Sequence, residues 1–305
     1  MKKILTLIFI AALITLGIYF GLKNNNLRSS DNEKLHVVAS FYPYYFFASE
    51  IGGDKVQVTN ITPAGAEPHD YEPTSGDLVQ ISSSKLLILN GQVEPWGTKI
   101  QTDLKDKNTA VLIAGQGLFT QKITDEEGKT GIDPHIWLSP MRAKLQVKAI
   151  LDEFINIDPA NKNYYSDNSN ALLTKLDKVD ADFKKGLASC KKKNIVTSHA
   201  AFGYLASDYN LTQTPIAGLS PDAEPSLRDM AKITNFVKAN GIKYIFFESL
   251  VSPKLSQTVA ASTGAQTLIL DPLEGLRPEA IMKGENYLTV MSQNLHNLRI
   301  ALECQ

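Results

Sequence analysis

Short runs of apolar and β-branched residues recur along the chain, separated by stretches of helical periodicity. Runs at Leu35–Phe41, Val56–Thr62, Leu86–Asn90 and Ala110–Ala114 read as strands of a first half. Runs at Asn194–Ser198, Thr212–Ile216, Tyr244–Phe247 and Thr267–Leu270 read as strands of a second. Strands that alternate with helices imply parallel sheets with crossover helices. The pattern therefore predicts an α/β fold of two similar lobes, each a mostly parallel four-stranded sheet with flanking helices.

A different kind of segment lies between the halves. Tyr164–Ala188 has no proline, and its only glycine is Gly186. Leu172, Leu173, Leu176, Val179 and Phe183 recur at three- and four-residue steps with Lys and Asp between them, the pattern of a long amphipathic helix. Asp158-Pro159 marks a break before it. The helix reads either as a stiff connector between lobes or as a surface helix of one of them.

The N-terminus follows another rule. Two lysines precede an uncharged run from Ile4 to Leu22, and Lys23 follows it. That order matches a secretory signal, and 19 residues also suffice to cross a bilayer. The segment reads as a cleaved signal peptide or an uncleaved signal anchor, so the body is expected outside the cytoplasm. The expected organisation is a leader over 1–22, a polar linker over 23–34, an N-terminal lobe over 35–160, the long helix over 161–190 and a C-terminal lobe over 191–305.

Composition narrows the function classes. The chain has 305 residues, 43% hydrophobic and 21% charged, an ordinary globular balance. Beyond residue 34 the formal charge is −4, which argues against a nucleic-acid surface. Two cysteines, Cys190 and Cys304, exclude a disulfide-rich scaffold, a four-cysteine zinc site and a cysteine-held iron–sulfur cluster.

Of five histidines, three sit where a metal ligand would be placed. His69 lies in the Pro/Gly-rich loop Pro63–Pro73, His135 in Asp133–Pro140, and His199 directly after the strand Asn194–Ser198. Asp271 follows the last expected strand and precedes Pro272. These four are 66, 64 and 72 residues apart, so each comes from its own strand–loop unit. In open α/β sheets ligands bind beyond the carboxyl ends of strands. Three imidazoles and one carboxylate meeting there suit Zn²⁺, whereas Mn²⁺ prefers more oxygen ligands. Proline beside His69 and His135 restricts the backbone and lowers the entropy lost on binding. His36 and His296 read as structural.

The ordered motifs carry a resemblance. Val38-Ala-Ser-Phe-Tyr-Pro43, Gly65-Ala-Glu-Pro-His-Asp-Tyr-Glu-Pro73, Leu89-Asn-Gly91, Asp133-Pro-His-Ile-Trp-Leu-Ser-Pro140, Thr197-Ser-His-Ala-Ala-Phe-Gly-Tyr-Leu205, Ala223-Glu-Pro-Ser226, Phe247-Glu-Ser-Leu250 and Leu270-Asp-Pro-Leu273 occur in one order. Over about residues 35–303 the chain resembles the solute-binding proteins of zinc and manganese ABC transporters, the ZnuA/TroA-like group. That resemblance implies two α/β lobes joined by one long rigid helix, a monomeric binding protein and delivery of the cargo to an ABC permease. It places His69, His135, His199 and Asp271 on the family's four ligand positions. Histidine at the third position is the zinc-type choice; manganese-type members tend to carry Glu there.

Three features depart from the family pattern. Gln121–Gly131 holds Asp125, Glu126 and Glu127 but no histidine, so a histidine-rich metal-collecting loop is absent. No cysteine precedes Cys190, which excludes a lipid-modified N-terminal cysteine. An oxidising compartment would allow Cys190 and Cys304 to pair and tie down the C-terminus, but sequence does not fix their distance. The function expected is capture of Zn²⁺ as transported cargo rather than catalysis. The alternatives are a manganese-binding member of the same group and a zinc hydrolase using Asp70, Glu67, Glu224 or Glu248 as base. Surface adhesion finds no support in the residues.

Overall fold

The computed structural model describes residues 34–124 and 130–305. The expected leader, nearly all of the linker and the acidic cluster Asp125–Glu127 lie outside the described residues. The first lobe runs β1 (Leu35–Ala39), α1 (Tyr42–Gly52), β2 (Val56–Asn60), α2 (Ser75–Ser83), β3 (Leu86–Leu89), α3 (Gly97–Leu104) and β4 (Ala110–Ile113). An antiparallel pair, β5 (Lys122–Thr124) and β6 (Thr130–Ile132), precedes α4 (Pro140–Ile157) and α5 (Lys162–Leu187). The second lobe runs β7 (Asn194–Thr197), α6 (Gly203–Asp208), β8 (Thr212–Pro215), α7 (Leu227–Ala239), β9 (Tyr244–Phe247), α8 (Lys254–Thr263) and β10 (Gln266–Ile269). It closes with α9 (Pro278–Met282) and α10 (Tyr287–Ala301).

The two sheets are ordered β2-β1-β3-β4 and β10-β9-β7-β8, and every pairing within them is parallel. Counted within each lobe the order is the same, so each sheet reverses direction between its first and third strands. That reversal leaves a crevice at the strand carboxyl ends. All eight sheet strands stand where the periodicity puts them, most of them one or two residues shorter. The excess has a physical cause: the apolar runs stay buried after the ladder ends. Phe41, Ala114, Ile216 and Leu270 are buried in loops beyond their strands. The short pair β5–β6 had no alternation strong enough to announce it.

Core strands are apolar on both faces because helices cover both. In β3 all four residues are buried. Leu86 and Ile88 point into one core, Leu87 and Leu89 into another. The second of these lies under α2 and α3, and its counterpart in the second lobe lies under α7 and α8. The first core is different. It contains Val37, Ala39, Leu86 and Ile88 of one sheet together with Ile195 and Phe246 of the other, plus the inward faces of α1, α4, α5 and α10. One core thus serves both lobes.

Helix α5 spans 26 residues, about 39 Å at 1.5 Å per residue. Tyr165, Ser169, Leu172, Leu176, Asp180, Phe183 and Leu187 form its buried stripe at three- and four-residue steps. The stripe packs on α1, α4 and α10, so α5 is a rigid strut along the shared core.

Cys190 and Cys304 are bonded, closing a loop of 114 residues between the turn after α5 and the end of the chain. Closing a loop of that length stabilises the fold by up to about 4.8 kcal/mol through the entropy it removes from the unfolded chain. Cys304→Ser should therefore lower the unfolding free energy by an amount approaching that limit, measured by denaturant titration. Added reductant should have little effect on the variant and should bring the unsubstituted protein down to meet it.

Candidate metal centre

Three imidazoles and one carboxylate meet between the lobes: His69, His135, His199 and Glu274. His135, His199 and Glu274 are fully buried, and only the His69 side chain keeps some exposure, 10%.

His69 arrives from the loop between β2 and α2. Gly65 takes a positive φ of 85°, which a residue with a Cβ rarely adopts, and its N–H donates to Leu276 O at 3.0 Å. The loop is thereby laced to the segment that carries Glu274. The Glu67 carboxylate accepts the His69 N–H at 3.2 Å. A capping box between Thr74 and Asp77 fixes the far end of the loop at the start of α2.

His135 is set by its neighbour two residues back. Asp133 Oδ1 accepts the His135 backbone N–H at 3.0 Å and faces ring Nδ1 at 2.8 Å. One carboxylate oxygen thus orients both the backbone and the ring. Asn90 Nδ2 donates to Pro134 O at 3.0 Å, and Tyr44 and Gln146 complete a buried amide–phenol network behind it.

His199 follows β7 at the reversal point of the second sheet. Its carbonyl accepts from Thr197 Oγ1 at 2.7 Å and Gln213 Nε2 at 3.0 Å. Its Nδ1 faces Glu248 Oε1 at 2.5 Å; Glu248 directly follows β9 and also accepts from Ser198 Oγ. A carboxylate behind an imidazole fixes the ring and raises its basicity, the usual support of a metal-bound histidine. With Nδ1 of His135 and His199 turned to carboxylates, their Nε2 atoms are aimed inward.

The distances are regular. His135 Nε2 lies 3.3 Å from both His69 Nε2 and His199 Nε2. Glu274 Oε1 lies 3.3 Å from His69 Nε2, 3.2 Å from His135 Nε2 and 3.4 Å from His199 Nε2. Bonds of about 2.0–2.1 Å in a tetrahedron give ligand–ligand edges of about 3.3–3.4 Å. Five of the six edges of such a tetrahedron are therefore present.

Electrostatics ask for a cation. Asp133, Glu248 and Glu274 are buried, and their ion-pair partners among the described residues are histidines alone. Their second oxygens, and that of Glu67, are buried without a hydrogen-bond partner. At His199 burial favours the neutral ring, but the charges of Glu248 and Glu274 and their hydrogen bonds outweigh it and hold the pKa well above the ordinary value. At His135 burial likewise opposes, and bonds to Asp133 and Glu274 prevail in raising it. Burial pushes Glu274 up, yet His199 and the bonds from the imidazoles win and hold it well below the usual carboxylate range. Glu67 is pushed up to about 9, chiefly by burial and then by the charge of Glu274. Protons and a metal ion compete for one place.

Of the four residues expected at the centre, three are brought together and Asp271 is not among them. Its Oδ1 accepts the Leu273 N–H at 2.8 Å, and its Oδ2 accepts from Ser249 Oγ. Both oxygens are spent on holding the loop. The group contains Glu274 instead, three residues on. A signal for this was present: an Asp followed by Pro tends to capture the backbone N–H two residues later. Such an Asp is used locally, and the next acidic residue is the one left to reach out. The pairing of Glu248 with His199 and of Asp133 with His135 is not legible in the sequence, because nothing in a single sequence shows which acid faces which ring.

The lobes are pinned around the centre. Tyr204 OH accepts the N–H groups of Thr120 and Gln121 at 3.0 and 3.1 Å and donates to Asp133 O at 3.1 Å. Trp137, whose ring packs 5.2 Å from His135, donates from Nε1 to Pro272 O at 2.7 Å, and Tyr287 OH donates to Trp137 O at 2.6 Å.

Comparison with known proteins agrees with this geometry. Residues 37–301 match the family described as zinc-uptake complex component A, periplasmic. The chain is 38% identical to the high-affinity zinc uptake system protein ZnuA of Bacillus subtilis over 90% of its own length and 89% of the relative. It is also 38% identical to the zinc-binding lipoprotein AdcA of Streptococcus pneumoniae, of which it spans only 61%. The crystal structure of the Zn(II)-bound ZnuA-like domain of that AdcA superposes with a TM-score of 0.78 at 38% identity, covering 88% of this chain and 99% of the domain. Among the described residues no helix is long and apolar enough to cross a membrane. The shared sequence, the two-lobed fold and the centre between the lobes lead to one conclusion: the chain belongs to the zinc-uptake component A family of solute-binding proteins.

Proposed function

We propose that this chain captures Zn²⁺ outside the cytoplasm as transported cargo and delivers it to the permease of an ABC uptake system. The ligands in this reading are Nε2 of His69, His135 and His199 and the Glu274 carboxylate. The observation that carries it is the set of five near-equal contacts, 3.2–3.4 Å, that fit the edges of a tetrahedron. A six-oxygen preference, as for Mn²⁺, is poorly served by three nitrogens in that arrangement. The N-terminal lobe, residues 35–160, supplies His69 and His135, and the C-terminal lobe, 191–305, supplies His199 and Glu274. Residues 1–22 export the body or tether it to the membrane beside its permease. Binding without chemistry follows from the ligand count: four protein ligands leave no place for an activated water.

Zinc should raise the melting temperature of the exported body. At a thousandfold excess over Kd the gain corresponds to about 4.1 kcal/mol. His199→Ala and Glu274→Ala should each weaken binding by more than about 100-fold, beyond the loss typical of a residue behind a ligand. Competition titration with a chromophoric chelator measures both, with Mn²⁺ as the control cation. Unchanged melting with zinc would overturn the reading.

The pH dependence has a definite sign. His135 and His199 have raised pKa values, so below those values each ring carries a proton that zinc must displace. Affinity should fall as pH falls, by about tenfold per pH unit for each proton displaced. Glu274, held low, stays ionised across this window and adds no further step. Zinc titrations in two buffers of different ionisation enthalpy should show proton release at pH 7.

A further inference from the structure

We infer that Asp271 is a positioning residue for the metal centre: it holds the left-handed turn at Leu273 that delivers Glu274 to the three imidazoles. This rests on the zinc-capture reading and specifies how its fourth ligand is held. Leu273 has φ 57°, a conformation that a branched side chain adopts only when its surroundings impose it. Four contacts impose it here. Asp271 Oδ1 accepts the Leu273 N–H at 2.8 Å across Pro272. Asn294 of α10 clamps the Asp271 backbone from both sides, accepting its N–H at 2.8 Å and donating to its carbonyl at 2.7 Å. Trp137 holds Pro272 O from the other lobe, and the Leu273 side chain is fully buried in the shared core.

The arrangement forms a circuit. His199 faces Glu248; the next residue, Ser249, donates to Asp271 Oδ2; Asp271 holds Leu273; and Glu274 returns to His199. One aspartate therefore ties the orientation of the fourth ligand to the strand end that supports the third. Without its acceptor, Leu273 relaxes toward negative φ and the Glu274 carboxylate leaves its place opposite the three Nε2 atoms. Beyond Glu274 the segment is held through its backbone, Leu276 O accepting the Gly65 N–H at 3.0 Å, so Asp271 is the side-chain hold on the approach to the ligand.

The test is a double-mutant cycle on the exported body, read by zinc competition titration. Asp271→Ala is expected to weaken zinc binding about 10–100-fold, as for a residue behind a ligand. In a Glu274→Ala background the same substitution should cost less than about threefold, since the ligand it positions is already gone. Asp271→Asn keeps an acceptor for the Leu273 N–H and should recover most of the affinity that Asp271→Ala loses. With Co²⁺ as probe, the visible absorption of Asp271→Ala should resemble that of Glu274→Ala, and Asp271→Asn should resemble the unsubstituted protein. Additive losses in the cycle, or an Asp271→Asn loss as large as that of His199→Ala, would overturn the inference while leaving zinc capture intact. The Asp271→Asn result decides even if Asp271→Ala does not fold. No zinc binding by the unsubstituted body would overturn the capture reading and this inference with it.

Discussion

The inner faces of the two sheets share one hydrophobic core, with α5 lying along it, and everything at the metal centre depends on that sharing. Val37 and Ile88 of one sheet and Ile195 and Phe246 of the other belong to the same packed cluster. Opening the lobes would expose this cluster to water at about 25 cal/mol per Å² of apolar surface, a cost that grows quickly over a whole interface. The lobes therefore form one frame against which the ligand positions are set. Tyr204, Trp137 and Tyr287 fasten the frame at the rim, each by a hydrogen bond from a buried side chain.

The frame makes an otherwise unfavourable cluster affordable. Asp133, Glu248 and Glu274 are carboxylates removed from water, which is expensive without a counter-charge. Each meets an imidazole, and each keeps an oxygen without a partner. The result is a polar island inside an apolar frame whose charge balance is completed from outside. The same logic has left a trace in the first lobe. Ser40 follows β1 as Ser198 follows β7, and each donates to a buried glutamate, Glu94 and Glu248. In the first lobe that glutamate accepts the N–H groups of Asn90 and Gly91 and braces a loop. In the second it braces a ligand.

Much of this was legible in the sequence for specific reasons. Strands covered on both faces are near-continuous apolar runs, so Leu86–Leu89 and Tyr244–Phe247 announce themselves. The stripe Leu172, Leu176 and Phe183 has one period only, and it made α5 plain. His69, His135 and His199 were readable because each stands beside proline or a strand end. Glu274 was not, because the rule that ligands follow strands points first to Asp271, and only the bonds to Leu273 and Ser249 show that this carboxylate is occupied. The pairing of Asp133 with His135 and Glu248 with His199 depends on the register of a folded sheet. No spacing along the chain encodes it.

The cluster's span along the chain has a bearing on when metal can be bound. His69 and Glu274 stand 205 positions apart yet meet at 3.3 Å. An unfolded stretch of that length has a radius of gyration of about 50 Å, so its ligands rarely meet. The affinity thus belongs to the folded body and not to any segment of it. A chain still unfolded therefore lacks the site and begins to compete for metal only after folding. The order of events, folding before binding, is thus set by where the four residues lie along the chain.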